Sequence, residues 1–549
     1  VGEFNGAPLY DLQFTESAQQ QHGIQLERDQ NQTSSATQQH QREESNQLYS
    51  QIHCIGDTYT REVSRHKMDT PWMSRSCKFH FMCFDTVEKD FVLFQDPREQ
   101  LLERIVTEQP FMHMSQSVLV ANHSHNPEHN DTANSLRYVV SLGGINQKWG
   151  NSYGAGIPNL QWFPKIIEGP APISDIHMLP SNIVMMPFHS LAAFNPGHLV
   201  WDDLLPIFAL LNIFQFDGTD DDDTDDDSVS PRTNAGVDAD APPFEPMLMR
   251  MVVEGLWASC DWKPHGRDIG REKQCNAMHK KFGTLISKFP VANNRNTNVT
   301  LARPSTASEP QPRHNRYVCA KQGAAGIGSL TDHGVTKGHG FHRNDYLSTH
   351  NVGRGAVLWK FRNYMMRQLN ERTVAAGNAP LKVEPPIWGD SRHPYRILFS
   401  VASSGKVHRK LYFEEEKRLL TKEYVDNPQP KHNVSFGFYK MSDLSLTEQV
   451  EIVSQSAVYV TACGGGAVTA SFLPRGATVI LYCNEKGGIE HNKQTFLPCR
   501  LDWDLFNSMS YVRVYWMPAL TRRSPTDQAV FMKLIHRTFE ILDAEYAEE

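Results

Sequence analysis

The chain has 549 residues, 40% of them hydrophobic and 21% charged, and a formal net charge of −8. That length exceeds what one core organises and predicts two domains with appendages. The acidic balance gives no reason to expect nucleic acid as a partner, and no apolar run reaches the roughly 18 residues a membrane-spanning helix needs. The chain begins at Val1, so any attachment to a membrane is expected through an anchor outside it.

Residues 1–66 are rich in Gln, Asn, Ser and Glu, a composition that buries too little apolar surface to fold alone, and they are expected to form a disordered stem or linker. Order is expected from Lys67, in an N-terminal lobe running to residue 375, and Cys77 to Gln95 predicts a hairpin with an acidic turn. Ile183 to Met186 predicts a strand, followed by a helix with Asn195 as N-cap and Pro196 in the first helical position. His198 and Asp202 then stand four apart on one helix face. A carboxylate held beside an imidazole can accept a proton from a hydroxyl; the same spacing also describes an ordinary surface pair. The run Asp220 to Asp227 is a like-charge block that repels itself, so residues 217–243 are expected to be a solvated insertion and no metal site.

Residues 246–290 read as mostly helical, 293–315 as a second polar insertion, and Tyr317 to Cys319 as a strand. His333, His339 and His342 lie in a Gly-rich loop without the partners a zinc site requires. A helix is predicted over 356–371, and a proline-marked connector follows it, where the domain boundary is expected. The second lobe, 390–523, opens with a strand over Arg396 to Val401. Its loop carries Lys406 and Arg409 ahead of a helix from Glu414 to Lys422, a combination suited to a diphosphate and equally to a basic surface loop. Leu446, Val450 and Val453 mark an amphipathic helix over 446–455. Strand 457–461, the triplet Gly464, Gly465 and Gly466, a short helix 467–473 and strand 478–482 complete a βαβ crossover. Its glycine loop lies at the strand's carboxyl end, where such sheets bind ligands. Residues 524–549 form a capped terminal helix whose apolar face is expected to pack back across the cleft.

The stretch from Glu448 to Tyr482 resembles the signature of glycosyltransferase family 61. That signature is a Glu-Gln helix, an apolar strand, His-Gly-Ala-Gly-Leu, then Phe-Leu-Pro-x-Gly-Ala and a strand. Glu448, Gln449, Gly464, Gly466, Phe472, Leu473, Pro474, Gly476 and Ala477 fall in register; Cys463 replaces the histidine, and Gly465 and Ala467 replace Ala and Leu. The family's Asn-x-x-His-x-x-x-(Asp/Glu) is matched by Asn195, His198 and Asp202, with Asp203 beside them. Arg409 is the nearest match to an arginine thought to face the nucleotide, with Lys406 as the alternative. The family also has a cysteine pair near Cys77 and Cys83; a disulfide is expected there, because C-x5-C is not a common zinc spacing.

The resemblance implies an α/β protein of GT-B type, with two Rossmann-like lobes, acting as an inverting glycosyltransferase. Its donor would be a nucleotide sugar, with UDP expected, and its acceptor a hydroxyl of a glycan or glycoprotein. Asp202, or else Asp203, would be the base, with His198 and Asn195 positioning. Arg409, Lys406, Gly464, Gly465 and Gly466 would hold the diphosphate without a metal, with Cys463 and Glu448 nearby. The implied compartment is the lumen of the Golgi or endoplasmic reticulum, with which sequons at Asn31, Asn122, Asn130, Asn298 and Asn433 agree. Two other readings stand beside this one: a degenerate, non-catalytic glycan or glycoprotein binder, and a different Rossmann-type enzyme.

Overall fold

The computed structural model describes residues 48–55, 76–96, 120–121, 137–138, 140–141, 161–162, 164–188, 190, 193–216, 243–251, 269–294, 315–326, 354–383, 388, 393–402, 410–483, 506 and 509–548. Residues Tyr49–Glu549 form one compact unit of mixed α/β structure. The sequence expectations for the Asp220 to Asp227 run, His333, His339, His342, Lys406 and Arg409 lie outside the described residues.

The first sheet is mixed. Its strands are β1 (Gln51–Ile55), β2 (Ser76–Asp85), β3 (Asp90–Gln95), β4 (Lys165–Glu168), β5 (Ile176–Met178), β6 (Ile183–Phe188), β7 (Glu245–Arg250), β8 (Ala292–Asn293) and β9 (Tyr317–Gly326). The main path runs β8-β7-β6-β9-β2-β3-β4, with β1 on β2 and β5 on β9. Strands β8, β7, β6 and β9 are mutually parallel, whereas β9 meets β2, and β2 meets β3, antiparallel. The β2–β3 hairpin turns as expected: buried Asp85 accepts the Val87 and Glu88 amides, and Lys89 takes a left-handed φ of 59°. Burial works to raise the Asp85 pKa. Two hydrogen bonds from Arg316 and the two turn amides outweigh it and hold the carboxyl below its ordinary range.

Three expectations are corrected here. Gln51–Ile55, inside the expected stem, is a strand paired to β2, because Ile52 has a buried face to enter and Ser50 is tied to Phe81 and Phe94. Residues Glu245–Arg250 are a strand and not a helix: between two parallel neighbours all six are buried, and burial on both faces removes the alternation that marks a strand in sequence. Cys83 bonds Cys319, its direct partner across β9, and not Cys77. Cys77 and Cys83 lie on one extended strand, six residues and therefore roughly 20 Å apart, far beyond disulfide reach. Cys77, Cys275 and Cys483 are disulfide-bonded as well.

The second sheet is all parallel: β10 (Tyr395–Ser400), β11 (Val434–Tyr439), β12 (Val458–Ala462), β13 (Thr478–Cys483) and β14 (Arg513–Pro518), ordered β11-β10-β12-β13-β14. The central strands β12 and β13 are buried throughout, as unbroken β-branched and aromatic runs require. Among the described residues, apart from two short two-stranded sheets (Val120–Ala121 with Arg137–Tyr138 and Val140–Ser141 with Gln161–Trp162), every strand before the proline-marked connector belongs to the first sheet and every strand after it to the second. Yet one apolar core runs through both halves, from Val184, Leu204 and Phe208 to Tyr459, Leu473 and Phe539.

Helix α1 begins at Asn195 and runs in three pieces: Pro196–His198, a π-helical Leu199–Leu204, and Leu205–Ile213. Helix α2 is Ile269–Phe282 and α3 is Arg354–Ala375. Phe361 and Tyr364 of α3 pack on Phe208 of α1, each 5.3 Å between ring centroids. From the same helix, buried Arg362 donates to the carbonyls of Phe472 and Leu473 at 2.8–3.3 Å. Helix α3 therefore braces α1 against the second half. Desolvation lowers the Arg362 pKa to about 10, which leaves it charged at neutral pH.

Helices α4 (Glu414–Tyr424), α5 (Leu446–Ser454) and α6 (Pro525–Glu548) complete the second half. Ser524 caps α6, whose Phe531, Ile535, Phe539 and Leu542 are buried as its apolar face predicts. Tyr395 stacks on Phe539 at 4.4 Å, and Tyr395 and His432 bond Asp543. These contacts join α6 to β10 and to the residues just ahead of β11. Among the described residues no helix is long and apolar enough to cross a membrane.

Candidate functional site

The connections of the second sheet locate its binding edge. From β10 the chain moves to β11 on one side and returns past β10 to β12 on the other. The crevice at the carboxyl ends of β10 and β12 is thus a topological switch point, the place where open α/β sheets take ligands. The glycine loop follows β12 directly. The segment containing Lys406 and Arg409 follows β10; its described flanks meet there, Ala402 donating to Leu411 O at 2.9 Å.

The loop conformation depends on its glycines. Gly464 sits at φ 123°, ψ −166°, a region essentially closed to side chains, and starts the 3-10 segment Gly465–Phe472. Tyr459 on β12 reaches the Thr469 hydroxyl at 2.6 Å and Gly466 O at 3.3 Å, and Thr469 also donates to Gly466 O. Burial raises the Tyr459 pKa, so the phenol stays a neutral donor. The Cys463 amide closes the β12–β13 ladder by donating to Tyr482 O, and the residue is 2% exposed.

The start of α1 meets this loop. Strand β6 ends at Phe188, and the chain reaches Asn195, whose side-chain oxygen accepts the Gly197 amide at 3.0 Å. A Cβ added to Gly197 would lie 3.2 Å from Gly465 Cα; one added to Gly465 would overlap Asn195 Oδ1 and lie 3.1 Å from Asn195 Cγ. The two motifs that stand apart in the sequence, Asn195-Pro196-Gly197-His198 and Gly464-Gly465-Gly466, are therefore in direct contact. Each follows a parallel strand at its carboxyl end.

Asp202 lies in the π-helical turn Leu199–Leu204, whose winding is wider than that of the α-helix on which the spacing from His198 is counted. His198 is partly buried at the loop-facing end of α1, and the Asp202 side chain lies outside the described residues. Asp203 points away into the interior, 3% exposed, where its Oδ2 accepts from Ser190 Oγ at 2.5 Å and lies 3.5 Å from His279 Nε2. The edge of the Phe188 ring closes that cluster, 5.7 Å from His279. Ser190 and His279 carried no signal in the sequence, because they come from different elements joined only by the fold. Glu448, expected near the nucleotide, instead completes a capping box: its carboxylate accepts the Ser445 amide while Ser445 Oγ accepts its own, and these bonds lower its pKa.

Among the described residues no group of three or more His, Cys, Asp or Glu is placed to hold a metal ion. No protein-family model matches the chain, and no curated protein matches it.

Proposed function

We propose that the protein is an inverting glycosyltransferase of GT-B type, with two Rossmann-like halves, transferring a sugar from a UDP-linked donor to a hydroxyl of a glycan or glycoprotein. The observation that carries this reading is the contact of the Asn195–His198 helix start with Gly465 at the switch point of the second sheet. That contact supports the reading because it brings the start of the helix that carries Asp202 in its sequence next to a glycine loop at a sheet's carboxyl edge, where phosphates bind in open α/β sheets. The glycine-loop amides with Arg409 or Lys406 meet the charge that develops on the leaving UDP, a preorganised arrangement that needs no metal. Asp202 takes the acceptor's proton, with His198 and Asn195 fixing its setting, while Asp203 anchors the helix from within. The disulfides suit an oxidising compartment, in keeping with the secretory lumen.

Asp202→Asn is expected to lower turnover of a UDP-sugar and acceptor by about 10²–10⁴-fold with an unchanged melting temperature. Asp203→Ala removes the buried acceptor of the Ser190 hydroxyl and the carboxylate beside buried His279, and is expected to cost about 1–3 kcal/mol of stability. Turnover and chemical denaturation of the two variants check both; full turnover in the Asp202 variant removes the assigned base. The buried Cys463 favours a second reading, a non-catalytic binder, since a cysteine stands where the resemblance expects an imidazole. In that case UDP binds and no transfer occurs with any acceptor.

A further inference from the structure

The sequons are a motif that the proposed reaction leaves unused, and one of them falls within the described residues. Asn433-Val434-Ser435 has the form Asn-x-Ser with no proline in the middle, the acceptor pattern for an N-linked glycan. Its place in the fold suits that modification. His432 turns inward, where its ring lies 5.3 Å from that of Phe539 and its Nε2 bonds Asp543 at 3.0 Å. Asn433 is exposed, while its carbonyl accepts the Tyr395 amide and fixes the backbone at the head of the β10–β11 ladder. A glycan is bulky and is added before the chain folds, so the finished structure must keep the residue that carries it outside the core.

The strand that begins at the next residue has an edge to protect. β11 is the last strand of the second sheet, and among the described residues it pairs only with β10. The Asn433 and Tyr439 carbonyls accept the Tyr395 and Val401 amides at the two ends of that ladder. A parallel ladder alternates along the strand, so the backbone groups of Val434, Phe436 and Phe438 face away from β10. The strand reads VSFGFY, aromatic-rich and without charge or proline. An uncharged edge of that composition is a template for another chain's strand. Charged side chains stand beyond its ends, at Lys431 and Lys440.

We propose that Asn433 carries an N-linked glycan, and that this glycan guards the open edge of β11 against pairing with another chain. The proposal rests on the secretory compartment of the preceding reading and on none of its catalytic residues. The donor is an oligosaccharide on a lipid diphosphate, supplied with its transferase by the endoplasmic reticulum. Asn433 Nδ2 forms the bond to the sugar C1 and gives up one proton. The bond from C1 to the diphosphate oxygen breaks, and the diphosphate leaves with that electron pair. The product is a bulky, hydrated group at the entry to the edge strand, where it hinders a second strand and leaves the β10 side untouched.

The test compares the chain isolated from its own cells with the full chain secreted from a cultured eukaryotic cell behind a cleavable signal peptide. N-glycans are released enzymatically in heavy-oxygen water, which turns each glycosylated asparagine into a labelled aspartate that peptide mass spectrometry locates. Label is expected at position 433 in both. Asn433→Gln and Ser435→Ala should each lose that glycan, whereas Ser435→Thr should keep it. The two losses should speed aggregation of the purified protein several-fold. Trimming glycans from the folded wild-type chain with an endoglycosidase should do the same without any refolding, and should add little in the Asn433 variant. An unlabelled position 433 in both preparations overturns the site. Label in the secreted chain alone overturns the compartment, and the proposal with it. Unchanged aggregation after trimming overturns the guarding role.

Discussion

Gly465→Ala is expected to destabilise the protein by about 1–3 kcal/mol, a large effect for one added methyl group. The new Cβ would overlap Asn195 Oδ1, with Asn195 Cγ at 3.1 Å and Pro196 Cδ at 3.4 Å leaving little room to retreat. Asn195 can turn aside only by giving up the Gly197 amide, which removes the cap of α1 at a cost of about 1 kcal/mol. Otherwise the helix start and the loop separate. The cost should therefore be shared with the partner residue. Asn195→Ala alone loses the cap, and the Asn195→Ala/Gly465→Ala pair should be less destabilised than the sum of the singles. Urea denaturation of the four proteins measures this coupling. Strict additivity would mean that the two motifs do not touch in solution.

Removing the Cys83–Cys319 disulfide by Cys83→Ala/Cys319→Ala is the second large loss expected, about 2–5 kcal/mol. The bond joins residues 236 apart in sequence, so its absence returns a long loop to the unfolded chain, and loop entropy grows with that length. The two cysteines pair directly across the antiparallel β2–β9 ladder, which runs from Tyr317↔Asp85 to Gly326↔Ser76. That ladder should hold the native register without the bond, so the double variant is expected to fold and to melt earlier. Both sulfurs are buried, and a reductant should leave the native protein largely unaffected until it is partly denatured. A double variant with wild-type stability would contradict the pairing.

The contrast between these two contacts explains what the sequence could and could not convey. Local rules suffice for α5, where Ser445 and Glu448 form a capping box around Leu446, Val450 and Val453, and for Asn195 and Pro196 at the start of α1. They also suffice for β12, the glycine turn and β13, whose β-branched runs are too short for helices. Pairing at a distance leaves no local trace. Cys83 has eight possible partners in a chain of nine cysteines, and only strand register selects Cys319. Glu245–Arg250 looked helical because Met and Leu suit either state, and tertiary burial decided. At the candidate site the glycines and the Asn-Pro start of α1 were legible one by one. Their contact was not, nor was the inward turn of Asp203 to Ser190 and His279, which the π-helical segment accompanies.

The most direct test of the transferase reading is the thermal stability of the full chain against UDP and a panel of UDP-sugars, with and without EDTA. A ligand that binds only the folded state raises stability by about 2.7 kcal/mol at a hundred times its Kd, an increment a melting curve resolves. The account predicts stabilisation by UDP or one UDP-sugar, unaltered by EDTA and lost in Arg409→Ala. A chain that melts cooperatively at the same temperature with every nucleotide present would contradict it.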